Sequence, residues 1–460
     1  MIEAGSFRDP EARVFYDTGR VLRGLSEDAA AADSAARGAG IVDRLVESGV
    51  LVDNWLVPDV PAPEGVPGAA VIESRRLPVI SYPGEWSFAM LKDAALATLD
   101  ANLMSLESGF ILKDASAFNV AFEGMHPVIL DAASLEPFGD SGVWNAYGQF
   151  CDHFLAPLLL EAYAGIPFQQ MLSTAIEGIP ITDLDRLLRG RSRYRKGVLT
   201  HVRLRSRLER RADSMDTESR REVGTTSLPR AAVIASVRKM RKLVARLESG
   251  ADSTWAAYEG ALPYADEGAA EKEDFVREAA LRARSKGTAL DVGANAGRFT
   301  KLLAEHFDQV VAIDNDPGAI DALYRIDDER ARTRVVPLVV DITNPTPAFG
   351  WRGAERKPFV DRVRPDFSTW LAVVHHLSLG QGIPLPEVVD LIAEVGREAV
   401  VEFVDPADPM ARRITATRRS SSAPYDRDRF EELARARFAV VASRRVADTR
   451  TLYHLRLRTT

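Results

Sequence analysis

The stretch "ALDVGANAGRFTKLLAEHFDQVVAIDND" constrains the fold more than any other part of the chain. A short apolar run ends at Asp291. Gly293, Ala294, Asn295, Ala296 and Gly297 follow as a turn of small residues, and a helical pattern starts near Arg298. A second apolar run closes at Asp314. Strand, turn, helix and strand in one unbroken stretch make a parallel crossover, a unit found in sheets covered by helices. Small turn residues let the backbone approach a ligand, and the next helix offers free N–H groups. Asp314 stands where a carboxylate accepts hydrogen bonds from both hydroxyls of a ribose.

The rest of the C-terminal half repeats the theme. "RVVPLVVDI", "FSTWLAVVHHL", "EAVVEFVD", "FAVVASRRV" and "TLYHLRLR" are strand candidates, and the earlier ones alternate with helix-length segments such as "LPEVVDLIAEVG". Alternation of this kind predicts a Rossmann-like α/β domain over 251–460, with a doubly wound, mostly parallel sheet. The last two candidates follow each other closely and read as a hairpin, giving an antiparallel final strand. Residues 1–200 have a different texture, with short strands first and long helical patterns later, which predicts an α+β domain. Residues 201–250 are charge-rich and read as a linker or helix; "ADSMDTESRREVGTTS" within them has a linker's low hydrophobicity.

A dinucleotide site shares the glycine logic, so the residue before the first glycine discriminates. Asp291 would repel a pyrophosphate but suits a cationic sulfonium ligand carrying an ammonium group. The form D-x-G-x-x-x-G resembles motif I of class I S-adenosylmethionine (SAM) methyltransferases. That resemblance implies cofactor contacts from Asp291, Gly293, Ala294, Asn295 and Gly297, and from Asp314 and Asn315 after the second strand. It also implies an adenine contact from Asp341 with Ile342, and a methyl-transfer site lined by the fourth-strand segment "STWLAVVHHL", including Ala372. "LAVVHHLSLGQGIPLP", "VVEFVDPADPMARR" and "APYDRDRFEELARARF" look like a bacterial methyltransferase family named for the nodulation protein NoeA. The likeness extends into the first half through "SYPGEWSFAMLKDAAL" and "LKDASAFNV". It implies a SAM-dependent methyltransferase with an appended N-terminal domain.

Methyl transfer needs alignment of nucleophile, methyl and sulfur, and in some cases removal of a proton. His375 and His376 follow the fourth strand, and one of them is a candidate general base. Glu402 and Asp405, after the fifth strand, are further candidates. Asp316 reads as the cap of the helix that opens at "PGAIDAL". No "NPPY"-type tetrad follows the fourth strand, and no cysteine motif is present. Both absences weigh against nucleic-acid bases as acceptors, leaving an oxygen or nitrogen of a small or medium-sized molecule.

"FILKDASAFNVAFEGMHPVILDAAS" carries a second constellation. Asp114 and Asn119 have the D-x-x-x-x-N spacing of a kinase catalytic loop, and Asp131 ends a hairpin-like run where a kinase has its second metal-binding Asp. The segment looks like a protein-kinase-like C-lobe, which implies ATP and magnesium at Asn119 and Asp131, with Asp114 beside them. It departs from that pattern in several places. Leu112 stands where the usual His would be, and Ala132 and Ala133 replace Phe-Gly. The first lysine of the chain is Lys92, so the strand lysine that grips phosphates is missing, unless Arg20 or Arg23 substitutes. The expectation is a kinase-like domain without catalytic activity; a nucleotide-binding phosphotransferase is the alternative.

Composition bounds the partners. Among 460 residues the formal net charge is −7, so the chain as a whole is not built to bind nucleic acid or membrane. The exception is 186–211, with eleven Lys or Arg and one Glu. It reads as a solvated face or, in an RNA-modifying enzyme, as a phosphate-binding strip. The single cysteine, Cys151, excludes an internal disulfide and reads as a buried small hydrophobe. No signal peptide or spanning segment is evident, which predicts a cytoplasmic protein. The expected partner is a small-molecule acceptor, and no motif fixes an oligomeric state.

Overall fold

The computed structural model describes residues 1–139, 142–213, 228–251, 268–416 and 424–458. The chain forms two compact units. The first comprises Met1–Asp252 with Pro347–Lys357, and the second comprises Ser253–Thr346 with Pro358–Thr460.

In the first unit, β1 (Ala12–Asp17) and β2 (Arg20–Leu25) form a hairpin. Its turn residues Thr18 and Gly19 both have positive φ, the conformation whose twist suits antiparallel strands. β3 (Asn54–Leu56) and β4 (Ala70–Ser74) complete an antiparallel sheet of order β1-β2-β4-β3. The helix Phe88–Glu107 starts at Ser87, whose hydroxyl accepts the Met90 N–H. It stops before Gly109, at φ 88°, where the chain turns away in the left-handed region that glycine tolerates. Leu91, Ala95, Leu99, Asn102 and Leu106 share its buried face at helical spacing.

Next come β5 (Phe110–Leu112), β6 (Val120–Glu123), β7 (His126–Ile129) and β8 (Leu135–Pro137). β6 and β7 form the hairpin expected before Asp131, and β5 pairs with β8. The apolar pattern after Trp144 becomes a helix from Tyr147 to Ala164 with one wide, π-type turn at Cys151–Leu155. Pro157 lies just beyond that turn. It has no N–H to donate and its ring crowds the preceding turn, a common cause of such widening. Cys151 is buried, as its bland reading requires. The helix Arg230–Ala245 also belongs to this unit. It is tied to the long helix by an Arg241–Asp100 ion pair, and Lys92 Nζ reaches the Leu247 carbonyl at 2.9 Å. Residues 214–227, most of the low-hydrophobicity stretch within the expected linker 201–250, lie outside the described residues.

The second unit is built on one seven-stranded sheet. Its strands are β9 (Thr288–Val292), β10 (Gln309–Asp314), β11 (Val335–Val339), β12 (Phe367–Trp370), β13 (Glu398–Val404), β14 (Phe438–Ala447) and β15 (Arg450–Leu457). The order is β11-β10-β9-β12-β13-β15-β14. β9 to β13 run parallel, whereas β15 enters antiparallel between β13 and β14. The expected terminal hairpin is therefore present, and its second strand lies inside the first. Strand order reverses at β9, which puts β9, β10 and β12 side by side at the switch point where open α/β sheets bind ligands. Phe307, Phe367, Trp370, Phe403 and Phe430 fill the core on the sheet faces. Among the described residues, no helix is long and apolar enough to cross a membrane.

Candidate active site

The site is built on the carboxyl ends of the parallel strands. Asp291, at the end of β9, is buried. The Thr300 hydroxyl donates to one of its oxygens and the Thr369 hydroxyl to the other, each at 2.6 Å. Burial pushes its pKa up to about 6, against the pull of both hydroxyls. A raised acid pKa makes ionisation a load on the fold. The favourable contribution is full below the unfolded value near 4 and is lost as pH rises through about 6. Asp291→Asn is therefore expected to stabilise the ligand-free protein above pH 6 by roughly 1–3 kcal/mol, with the gain vanishing towards pH 4. Thermal melts of both proteins across that range check it.

After Asp291 the chain enters the small-residue turn. Gly293, Asn295 and Gly297 all have positive φ. A Cβ at Gly297 would come within 2.3 Å of Leu323 Cδ1, so this glycine is required by both conformation and space. The N–H groups of Gly293 and Ala294 donate to the Ile313 carbonyl at 2.9 Å, which folds the turn over the end of β10. Asp314 stands there. Its Oδ2 accepts the Asn295 N–H at 3.0 Å and its Oδ1 accepts the Asp316 N–H at 2.9 Å. Burial raises its pKa, and these backbone donors oppose the rise. The Asn295 and Asp316 N–H groups fix one oxygen each, and a carboxylate oxygen can accept more. Asn315 is exposed beside it. Asp316 caps the helix Pro317–Tyr324 as expected, accepting from Gly318 and Ala319.

Asp341 lies two residues beyond β11 and accepts both the N–H and the hydroxyl of Thr343 on Oδ1. Ile342 beside it is buried and apolar. Ala372, two residues past β12, is held at φ 55°, and its N–H donates to Glu402 Oε2 at 2.9 Å.

Glu402, expected as a catalytic candidate, is fully buried. Its Oε1 meets Lys272 Nζ at 2.8 Å and Arg450 at 3.3 Å. Arg450 also pairs with Asp408, at 3.0 Å. With both oxygens engaged, Glu402 is placed to hold the β12 loop rather than to take a proton. Asp405 accepts the Ala407 N–H on Oδ1, and its Oδ2 lies 3.9 Å from Arg427. The histidine pair divides. His375 is buried, and neither ring nitrogen has a hydrogen-bond partner among the described residues. Burial, with His376 and Arg450 nearby, pushes its pKa down to about 3. His376 is exposed, its ring 4.3 Å from that of His375. Partial burial and Arg450 lower its pKa as well, so it is neutral at ordinary pH.

Sequence reasoning missed Thr300, Thr369, Lys272, Arg450 and Asp408. One signal was available: a glutamate inside the apolar run "EAVVEFVD" demands a cation. Which cation answers it depends on residues far away in the chain.

In the first unit, Asp131 is buried and its Oδ1 accepts the Ala133 N–H and meets Arg23 at 2.8 Å. Asp114 accepts the Ser116 N–H, and burial raises its pKa; Asp131 adds to the rise, while Asn119 and Gln149 hydrogen-bond to it. The three expected residues are thus gathered. They do not fit a magnesium ion as placed, because the Arg23 guanidinium already neutralises Asp131. Among the described residues, no group of three or more His, Cys, Asp and Glu side chains is placed to hold a metal ion.

No family model matches the chain. It is 32% identical over 457 residues to the nodulation protein NoeA of Rhizobium meliloti (strain 1021), covering 98% of this chain and 95% of that one. The chain belongs to the NoeA family. The solved structures it resembles include the N-methyltransferase NodS from Bradyrhizobium japonicum WM9 in complex with S-adenosyl-L-homocysteine (SAH). That likeness has a TM-score of 0.32 and 16% identity, over 45% of this chain and 100% of that one. Another is the bifunctional kinase-methyltransferase WbdD, with a TM-score of 0.30 and 17% identity, over 40% and 38%. Likenesses this distant carry no weight for substrate. In this NoeA-family chain, the turn at Asp291 stands at the switch point of the sheet, between β10 and β12.

Proposed function

We propose that this NoeA-family protein transfers a methyl group from SAM to an oxygen or nitrogen of a small or medium-sized acceptor. The observation that carries the reading is the convergence of the Asp291 turn, Asp314 and the strained Ala372 on the ends of adjacent strands. When bound, SAM supplies a methyl group on a sulfonium. Asp314 would accept the ribose hydroxyls, and Asp341 with Ile342 would border the adenine. The backbone from Gly293 to Gly297, with Asn295, would follow the amino-acid portion, with the Asp291 carboxylate behind it. Glu402 fixes Ala372, and so the loop that presents His376 to the acceptor. His376, neutral and exposed, would accept the acceptor's proton.

His376→Gln is expected to lower kcat by about a hundredfold or more, the usual scale for a lost general base. Because the His376 pKa is lowered, the wild-type acid limb should fall below the ordinary imidazole range, and the variant should lack that limb. The check is tritiated-methyl transfer into acceptor fractions of a cell extract, followed across pH. An unchanged pH profile would remove His376 from the role.

The first unit supports a second reading, a kinase-like scaffold without phosphoryl transfer. β5, the Asp114–Asn119 loop and the β6–β7 hairpin favour it, and the Arg23–Asp131 pair stands against metal chemistry. Magnesium with ATP should leave the melting temperature unmoved. A shift that Asp131→Ala abolishes would instead restore the phosphotransferase alternative.

A further inference from the structure

The basic strip 186–211 has a surface that its composition alone did not reveal. Five of the large apolar side chains that stand exposed in the chain fall between residues 187 and 208: Leu187, Tyr194, Leu199, Leu204 and Leu208. The last three belong to the helical run Val198–Asp213, a π-type segment to Leu204 and an α-helix after it. Val202 and Ser206 face inward and are fully buried, whereas Leu204 and Leu208, one turn apart, are 52% and 54% exposed. Packing against the unit therefore uses one face of this run, and the opposite face carries leucine into solvent.

Cations are interleaved with these leucines along the chain. Arg186 pairs with Asp183, Arg193 and Arg210 with Asp185, and Arg205 with Asp152. Arg189, Arg191, Lys196 and Arg207 are exposed and have no acidic partner among the described residues. Exposed leucines beside unpaired arginines are an interfacial arrangement: the apolar side chains enter the headgroup boundary while the cations meet anionic lipid. Nucleic acid would call for stacking aromatics. The strip offers one, Tyr194, and the Arg203 guanidinium already lies 5.8 Å from its ring centroid. We infer that this face, from Leu187 to Leu208, seats the protein on an anionic membrane surface as a peripheral contact. The net charge of −7 concealed it because the counter-charges lie elsewhere in the chain.

The test is co-sedimentation of the full-length protein with vesicles of phosphatidylcholine, with and without phosphatidylglycerol, over a salt series. The wild type should bind the anionic vesicles and not the neutral ones. Arg191→Gln with Arg207→Gln should weaken binding by about thirtyfold, from the usual contribution of two surface cations. Leu204→Ser with Leu208→Ser leaves every charge in place and should weaken it by about tenfold or more. Thermal melts confirm that the variants fold. Three results would overturn the inference. One is no binding to anionic vesicles at low salt. Another is leucine variants that bind like wild type while single-stranded RNA binds more tightly. The last is self-association in solution that the leucine variants abolish, without vesicle binding.

Discussion

Glu402→Ala is expected to destabilise the second unit by about 3–5 kcal/mol, the typical cost of leaving a buried ion-pair partner uncompensated. The carboxylate is fully buried, with Lys272 at 2.8 Å and Arg450 at 3.3 Å. Removing it leaves two largely buried cations without the carboxylate between them. Asp408 still holds Arg450, so Lys272 bears most of the loss. The Ala372 N–H also loses its acceptor while its backbone stays in a left-handed conformation. For a domain of this size each kcal/mol moves Tm by about 2–4 °C, so scanning calorimetry should show a fall of roughly 10 °C. Glu402→Gln keeps an oxygen for one partner and should fall less. A change below about 1 kcal/mol in the alanine variant would mean that the network does not hold the β12 loop.

The second large effect concerns the cofactor. Asp314→Ala is expected to weaken binding of SAM, or of SAH, by about 10- to 100-fold, because charge-assisted hydrogen bonds to ribose are worth roughly 1–3 kcal/mol. The substitution also frees the Asn295 and Asp316 N–H groups that now hold the turn. Asp314→Asn retains one acceptor oxygen and should fall between. Asp316→Ala is the informative control: it removes a helix cap, so it should lower stability by about 1 kcal/mol and leave affinity nearly unchanged. If both variants lose affinity equally, the effect is one of folding and not of ribose recognition.

Most of the second unit was legible in the sequence because its signals are local. Asp291, the glycines and Asp314 fall within one crossover, and the close spacing of the last two strand runs announced their hairpin. The place of β15, between β13 and β14, was not legible, since it is set by pairing across the sheet. The surroundings of the candidate catalytic residues were harder for the same reason. "VVHHL" put His375 and His376 after β12, where they lie, whereas Glu402, expected after the fifth strand, lies within β13. The partners of Glu402, Lys272 and Arg450, come from the helix before β9 and from the terminal hairpin. Adjacent histidines look alike in sequence, yet one is buried and the other exposed. In the first unit, the Asp114–Asn119–Asp131 spacing and its hairpin were readable, and Arg23 was foreseen as a stand-in for the missing lysine. Its direct pairing with Asp131 was not, because β2 and the end of β7 are far apart in the chain.

In the proposed function, the turn between Asp291 and Gly297, with Asp314, forms the SAM site. Titration calorimetry of the intact protein with SAH tests it most directly. The expected result is saturable binding at one site per chain, weakened at least tenfold by Asp314→Ala and nearly unaffected by Asp316→Ala. Folded wild-type protein that gives no saturable binding with either SAH or SAM would contradict it.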